Sequence, residues 1–133
     1  MPSNSPFRTS SDLVLQVLKD TGILSVGQPV DPDDFSNVND NLDSIFRKIA
    51  ALEIAYVSDR DNIPGAWFKD LASIVAGECA SALGIVGQEY VTTVNNGLGG
   101  QGGVPIGAGA AAQSLKIITR GRPTYEIFRM QCF

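Results

Sequence analysis

The chain has 133 residues, a mass of 14.1 kDa, 44% hydrophobic residues and a formal net charge of −4. This length fits one domain with a sizeable core, and no apolar run approaches the roughly 18 residues that a membrane helix needs. The sequence has no histidine, which excludes the usual catalytic triads, and its two cysteines, Cys79 and Cys132, are too few and too distant for a zinc site. We therefore predict no catalytic residues, no cofactor and no metal, and interpret Cys79 as a buried apolar residue.

The charge is unevenly distributed along the chain. Residues 116–133 hold four basic and one acidic side chain, a net charge of +3, so residues 1–115 carry −7. An acidic body argues against general nucleic-acid binding. The basic end either docks on an acidic partner or consists of solvated charges, and the sequence favours neither. Residues 1–11 lack the apolar core of a signal peptide, which predicts synthesis in the cytoplasm.

The first part of the chain is predicted to be an arm followed by a short helix. Residues 1–10 are polar and are predicted to be flexible. Ser10 or Ser11 is expected to cap the helix, and Gly22 to end it. Its apolar stripe consists of Leu13, Val14, Val17 and Leu18.

A longer helix is predicted from Asp31 to Leu52. Asp31 can cap it, Pro32 suits the first helical position, and acidic residues in the first turn favour the helix dipole. Acidic residues on its polar face, such as Asp40 and Asp43, are interpreted as solvated rather than as a metal or acid–base site. Apolar residues recur at helical spacing and form one stripe: Phe35, Val38, Leu42, Ile45, Phe46, Ile49 and Leu52.

A second long helix is predicted from Pro64 to Leu83, ending at Gly84. It is apolar around much of its circumference and rich in alanine, so other helices can approach it closely, and we predict that it is the central helix of a bundle. The predicted core joins apolar residues from all three helices: Leu13, Val17, Phe35, Leu42, Ile45, Phe46, Ile49, Trp67, Leu71, Ile74, Val75 and Leu83.

The pattern changes after Gly84. Residues 90–94 have strand propensity, residues 95–97 read Asn-Asn-Gly, a turn signal, and glycine dominates as far as Gly109. Residues 85–109 are therefore predicted to be a projecting loop or ragged hairpin. Residues 97–102 match the dinucleotide fingerprint GxGxxG, but no helix opens on the match and no acidic residue follows about 20 positions later. We interpret the match as a chance feature of a glycine-rich loop.

The end of the chain is predicted to be a last helix over residues 110–119 and an extended segment after Pro123. Residues 122–133 are called the docking segment below. Aromatic residues and arginines are the types that anchor interfaces, and the alternative is that the segment closes the protein's own core. The residues proposed to bind a partner are Arg122, Tyr125, Ile127, Phe128, Arg129, Met130 and Phe133.

This order of elements resembles the phage head-to-tail adaptor family, called tail accessory factors or packaged-DNA stabilisation proteins in short-tailed phages. Residues 11–23 resemble the family's opening helix and turn. Residues 40–52 resemble its second helix and residues 67–84 its third, in which a small-residue helix precedes a loop. Residues 110–122 resemble it more weakly, and the glycine-rich stretch is not part of the pattern.

The residue patterns predict a mainly α fold: a small helical bundle in one domain, with a glycine-rich loop or hairpin and an extended C-terminal tail. The resemblance agrees with the helical bundle. It also implies a structural role in the virion, as a ring, usually twelvefold, in the neck between capsid and tail. In such a ring the last segment docks on the portal protein and the far side accepts a distal tail component, either a tail tube or a nozzle protein. DNA passes through the centre without sequence-specific binding, and no membrane is involved.

Two other functions are considered. One is a small helical binding or regulatory module that acts as a monomer or dimer. The other is an enzyme that binds a phosphate ligand with the glycine-rich loop, which the missing context of the fingerprint disfavours.

Overall fold

The structure is a computed structural model that describes residues 7–25 and 27–119. Two short strands, β1 (Phe7–Arg8) and β2 (Ile63–Pro64), accompany the helices α1 (Ser10–Asp20), α2 (Pro32–Asn39), α3 (Leu42–Ala51), α4 (Gly65–Cys79) and α5 (Gly87–Asn96). A further helix, α6, covers residues 110–119. The predicted mainly α fold is confirmed over the described residues, and the predicted extended tail lies outside them.

Helix α4 is the centre of the bundle, as predicted. It contacts α1, α2, α3, α5 and both strands. Ala72, Ala76 and Gly77 are buried on it, and a Cβ atom on Gly77 would lie 3.1 Å from Cα of Val94 in α5. The small residues therefore let the α5 backbone pack directly on α4. The helix ends at Cys79, four residues before the predicted end at Leu83.

Helix α1 begins one residue earlier than predicted, because Thr9 and not a serine is its N-cap. The Thr9 hydroxyl accepts from the Asp12 N–H and the Asp12 carboxylate accepts from the Thr9 N–H, each at 3.3 Å, which makes a capping box. Gly22 follows the helix with φ of +81°, as expected of a residue that ends a helix.

The prediction of a flexible arm over residues 1–10 is wrong for its described part. Strand β1 pairs antiparallel with β2, and the Arg8 guanidinium lies 4.9 Å from the centroid of the Phe68 ring. Ser10 is buried and donates a hydrogen bond of 3.0 Å to Asp61. These long-range contacts fix residues 7–10 to the bundle. Residues 1–6 lie outside the described residues.

The single helix predicted from Asp31 to Leu52 is divided into α2 and α3 at residues 40–41. The Asn41 side chain donates to the Asn37 carbonyl oxygen at 2.6 Å, which competes with regular helix bonding. The Arg60 guanidinium donates to Asn39 at 2.9 Å and to Asp43 at 2.7 Å, and so links the two helices across the break. The apolar stripe still faces the core through both helices, except that Phe35 is half-buried and Leu52, the residue after α3, is exposed.

The prediction of a projecting loop over residues 85–109 is also wrong. Residues predicted to be a strand lie in α5, which packs on α4. Leu98 is 1% exposed and belongs to the core, and the backbones of Gly97 and Gly109 lie against each other. Gly97, Gly99 and Gly109 are close-packing positions, where an added Cβ atom would lie within 3.0 Å of backbone atoms. The segment also pairs its backbone internally.

The core contains most of the predicted residues. Phe35, Trp67 and Leu83 are only half-buried and pack against its edge. The other predicted residues are buried: Leu13, Val17, Leu42, Ile45, Phe46, Ile49, Leu71, Ile74 and Val75. Leu115, an apolar position of the predicted last helix, is fully buried as well, and so are Ile54, Ile63 and Leu98, which the helical patterns did not indicate.

Candidate interaction surface

The predicted docking residues Arg122, Tyr125, Ile127, Phe128, Arg129, Met130 and Phe133 lie outside the described residues, but the helix that leads to them is described. Helix α6 is held by the buried Leu115 and by a hydrogen bond of 3.0 Å from Ser114 to Asp70 of α4. At its end, the Thr119 hydroxyl donates to the Ile54 carbonyl oxygen at 3.2 Å. The chain therefore leaves the described region beside the turn that follows α3.

That turn exposes a tyrosine. Glu53 follows α3 with φ of +58°, a left-handed conformation, and the Ile54 N–H donates to the Ile49 carbonyl oxygen at 2.9 Å. This arrangement ends the helix in the manner of a Schellman motif. Ile54 points into the core, and two residues later Tyr56 is 72% exposed. The sequence patterns gave Tyr56 no special role, because the residues around it come from separate parts of the chain.

Three hollows share Tyr56 as a wall, and together they are called the Tyr56 groove. The largest, of about 370 Å³, has apolar walls from Phe46, Ala50 and Val57 and charged walls from Asp43, Arg47 and Arg60. The second, of about 270 Å³, is lined in part by Glu53, Ala55 and Thr119. The third, of about 250 Å³, is lined in part by Asp59, Asn62 and Trp67. An exposed aromatic side chain between partly apolar hollows is typical of a surface that binds another chain.

The described body is acidic. Residues 7–119 carry thirteen acidic and seven basic side chains, a net charge of −6, whereas residues 120–133 carry +2. Four carboxylates of this helical stretch, Asp33, Asp34, Asp40 and Asp43, were predicted to be solvated. Asp33, Asp40 and Asp43 are exposed, whereas Asp34 is half-buried. Lys48 and Glu78 form an ion pair of 2.8 Å between α3 and α4.

The glycine fingerprint has a packing explanation. The residues before it form α5 rather than the strand that a dinucleotide site requires. A Cβ atom on Gly97 would lie 2.5 Å from the Ser73 carbonyl oxygen, and one on Gly99 would lie 2.7 Å from the Pro105 carbonyl oxygen. Glycine is therefore required at these positions by protein backbone that already fills the space beside them.

Cys79 is the one cysteine that the structure describes, and it is 2% exposed. Burial, with a smaller contribution from the negative charge of Glu78, raises the pKa of its thiol to about 11. A thiol with so high a pKa is a poor nucleophile at neutral pH. Within residues 7–25 and 27–119, no three histidine, cysteine or acidic side chains are grouped so that they could hold a metal ion.

Comparisons with protein-family models, with curated proteins and with solved structures find no match to this chain. No helix in the described part of the chain is long and apolar enough to cross a membrane.

Proposed function

We propose that the protein is a head-to-tail adaptor of a short-tailed phage, a structural component of the virion neck that forms a ring below the portal. The observation that carries the proposal is the order of the helices around α4. A short capped helix, an acidic-started helical stretch and a central small-residue helix come first. Helix α5 and a closing helix, α6, follow, and the sequence after α6 is basic and aromatic. This order resembles that of the adaptor family.

The charge of the body supports a channel through which DNA passes. A protein that neutralises many DNA phosphates with lysine and arginine gains strong, salt-dependent affinity. The −6 charge of residues 7–119 repels the DNA phosphates instead. A ring built from this bundle would therefore let DNA pass without binding it tightly. The basic docking segment would meet acidic surface on the portal, and its attachment would weaken as salt increases.

Exposed apolar side chains supply contact surface for ring neighbours and for the distal tail component. Val86, at the start of α5, is 77% exposed, and Ile117, on α6, is 68% exposed. These residues lie on different helices, which suits a subunit that contacts a neighbour on each side.

The proposal is tested by mixing purified protein with portal rings and measuring the mass of the complex by size-exclusion chromatography with light scattering. We expect a complex with a fixed number of subunits, about twelve by analogy with the family. Electron microscopy of tail-less particles supplemented with the protein should show added density below the portal. Deleting Thr124–Phe133 should abolish attachment, while deleting residues 2–6, which carry no charge, is the matched control. An intact protein that binds no portal ring would refute the proposal.

The second candidate, a small helical binding or regulatory module, is favoured by one observation, the Tyr56 groove. Its largest hollow, about 370 Å³, falls within the size range of ligand-binding clefts. Such a module would bind a partner as a monomer or dimer and would not form a ring on a portal. A monomer in solution does not separate the two candidates, because a ring subunit can stay monomeric until it meets its portal. The mass measured in the presence of portal rings does separate them.

A further inference from the structure

We propose that the Tyr56 groove binds the docking segment of the same chain, so that the partner-binding residues are held against the body until a partner displaces them. This inference does not depend on the identity of that partner. It concerns an interaction surface, and its occupant is residues 122–133.

The first argument is the position at which the chain leaves the described region. Thr119 lines one hollow of the groove and is hydrogen-bonded to Ile54, two residues before Tyr56. The residues that follow therefore start at the rim of the groove. An extended chain spans about 3.3 Å per residue, so a segment starting there can reach all three hollows.

The second argument is the chemistry of the groove. Phe46, Ala50 and Val57 provide apolar walls and Tyr56 provides an aromatic rim. The docking segment carries Tyr125, Ile127 and Phe128, and in an extended chain neighbouring side chains point to opposite faces. The side chains on one face of the segment thus fill the hollows on one side of Tyr56. This contact buries the exposed Tyr56 ring and the apolar side chains of the segment together.

The third argument is charge complementarity. Residues 120–133 carry +2 and residues 7–119 carry −6. The largest hollow holds Arg47 and an Asp43 that is already paired with Arg60, so the carboxylate that meets the arginines of the segment is that of the exposed Asp59, in the third hollow. Such pairing orients the segment and weakens with salt.

Attachment within one chain is favoured over exchange between copies. A segment tethered at the rim of its site has an effective concentration in the millimolar range. A second copy would compete with it only at comparable protein concentrations. The interaction is therefore expected to be independent of dilution.

The natural reporter for this interaction is Trp67, the only tryptophan of the chain, which is half-buried and lines one of the hollows. If the docking segment covers the groove, deletion of Thr124–Phe133 should shift Trp67 emission to longer wavelength and increase its quenching by acrylamide. Tyr56→Ser in the full chain should have the same effect. Ile106→Ser is the matched control, because Ile106 is 57% exposed and lines none of the three hollows.

A synthetic peptide of residues 122–133 gives the second test. It should restore the original emission when added to the truncated protein, in a saturable and salt-sensitive way, and should leave the full chain unchanged because its groove is occupied. Energy transfer from Trp67 to a dye on Cys132 should be high, unaffected by dilution and reduced by Tyr56→Ser, and the buried Cys79 should remain unlabelled.

Three results would overturn the proposal. The first is identical emission and quenching for the full chain, the truncated chain and Tyr56→Ser. The second is a shift that disappears on dilution of the full chain, which would assign the groove to a second copy. The third is equal binding of the peptide to the full and truncated chains. If truncation prevents folding, the energy transfer from Trp67 to Cys132 decides without it: Tyr56→Ser should reduce the transfer and Ile106→Ser should not, and equal transfer in the two variants would overturn the proposal.

Discussion

The backbone of Gly97 lies directly against that of Ser73, so that a Cβ atom on Gly97 would be 2.5 Å from the Ser73 carbonyl oxygen. Backbone of α4 already fills the space that a side chain at Gly97 would need. We expect Gly97→Ala to lower the free energy of unfolding by about 1–3 kcal/mol or more, because the segment after α5 must move away from α4. Urea unfolding followed by circular dichroism measures the loss.

Gly84 provides the comparison for this prediction. Its φ is +82°, but no atom lies within 4 Å of an added Cβ. Gly84→Ala should therefore cost only the backbone strain of a left-handed residue, about 1 kcal/mol. A loss at Gly97 no greater than at Gly84 would contradict the close packing of Gly97 on α4.

Leu98 tests whether the glycine-rich region is part of the core. It is 1% exposed, whereas Ile106, in the same region, is 57% exposed. We expect Leu98→Ala to destabilise the protein by about 2–5 kcal/mol, because it removes buried methyl groups and leaves a cavity. Ile106→Ala should change stability by less than about 0.5 kcal/mol, as surface substitutions usually do. Equal effects of the two substitutions would show that Leu98 is not buried in the core.

The helices could be predicted where the capping residues and helix-ending glycines agreed with the apolar periodicity. In α1, the apolar stripe from Leu13 to Leu18 and the glycine at position 22 were enough to predict the helix. Its tertiary contacts agree with these local features. The small residues of α4 likewise indicated a central helix. The break between α2 and α3 could not be predicted, because the apolar stripe continues across it and one of the side chains that stabilise it, Arg60, is distant in sequence.

The prediction for the residues after Gly84 was wrong for a different reason. Residues 90–94 have strand propensity, but propensity is weak against the burial gained when a helix packs on α4. Glycine density indicated disorder, whereas Gly97 and Gly109 permit close backbone contact. The Tyr56 groove could not be predicted at all, since its walls come from α3, the turn after it, the start of α4 and the end of α6.

Glu53 occupies a left-handed position that usually favours glycine, with φ of +58°. Substitution by glycine should relieve the strain of this conformation, whereas alanine removes the same side chain and keeps the strain. We therefore expect Glu53→Gly to be about 1 kcal/mol more stable than Glu53→Ala. Comparing the two variants with each other removes the contribution of the glutamate side chain. Equal stability of the two would show that the turn after α3 does not hold this conformation in solution.

The Cys79 thiol predicts a specific sensitivity to alkaline pH. Its pKa is raised from 9.0 to about 11 because the side chain is buried, so the folded state favours the protonated thiol more than the unfolded state does. This contribution to stability is complete below pH 9.0 and is lost as the pH rises from 9.0 towards about 11. The wild type should lose more stability over this interval than Cys79→Ala, which lacks the thiol. Parallel losses in the two proteins would refute the assignment.

The same burial predicts slow modification of Cys79. In a Cys132→Ser variant, where Cys79 is the only cysteine, a thiol reagent should react slowly with the native protein at neutral pH. It should react rapidly after urea unfolding, because the thiolate is the reactive form and the folded protein both hides the sulfur and disfavours ionisation. Rapid reaction of the native variant would mean that Cys79 is not held in the core.

Arg60 connects the end of α2 to the start of α3 with two bonds from one guanidinium, 2.9 Å to Asn39 and 2.7 Å to Asp43. Its side chain is only 31% exposed, and a planar fork that reaches two helices is not reproduced by lysine. We expect Arg60→Ala to lower the free energy of unfolding by about 1–2 kcal/mol, and Arg60→Lys to recover less than half of that loss. Lys48→Ala is the matched control, because Lys48 makes a single ion pair, with Glu78, and is 44% exposed, so the pair should contribute about 0.5 kcal/mol. Full rescue by lysine would show that Arg60 acts through charge alone, and that the break between α2 and α3 does not depend on its forked geometry.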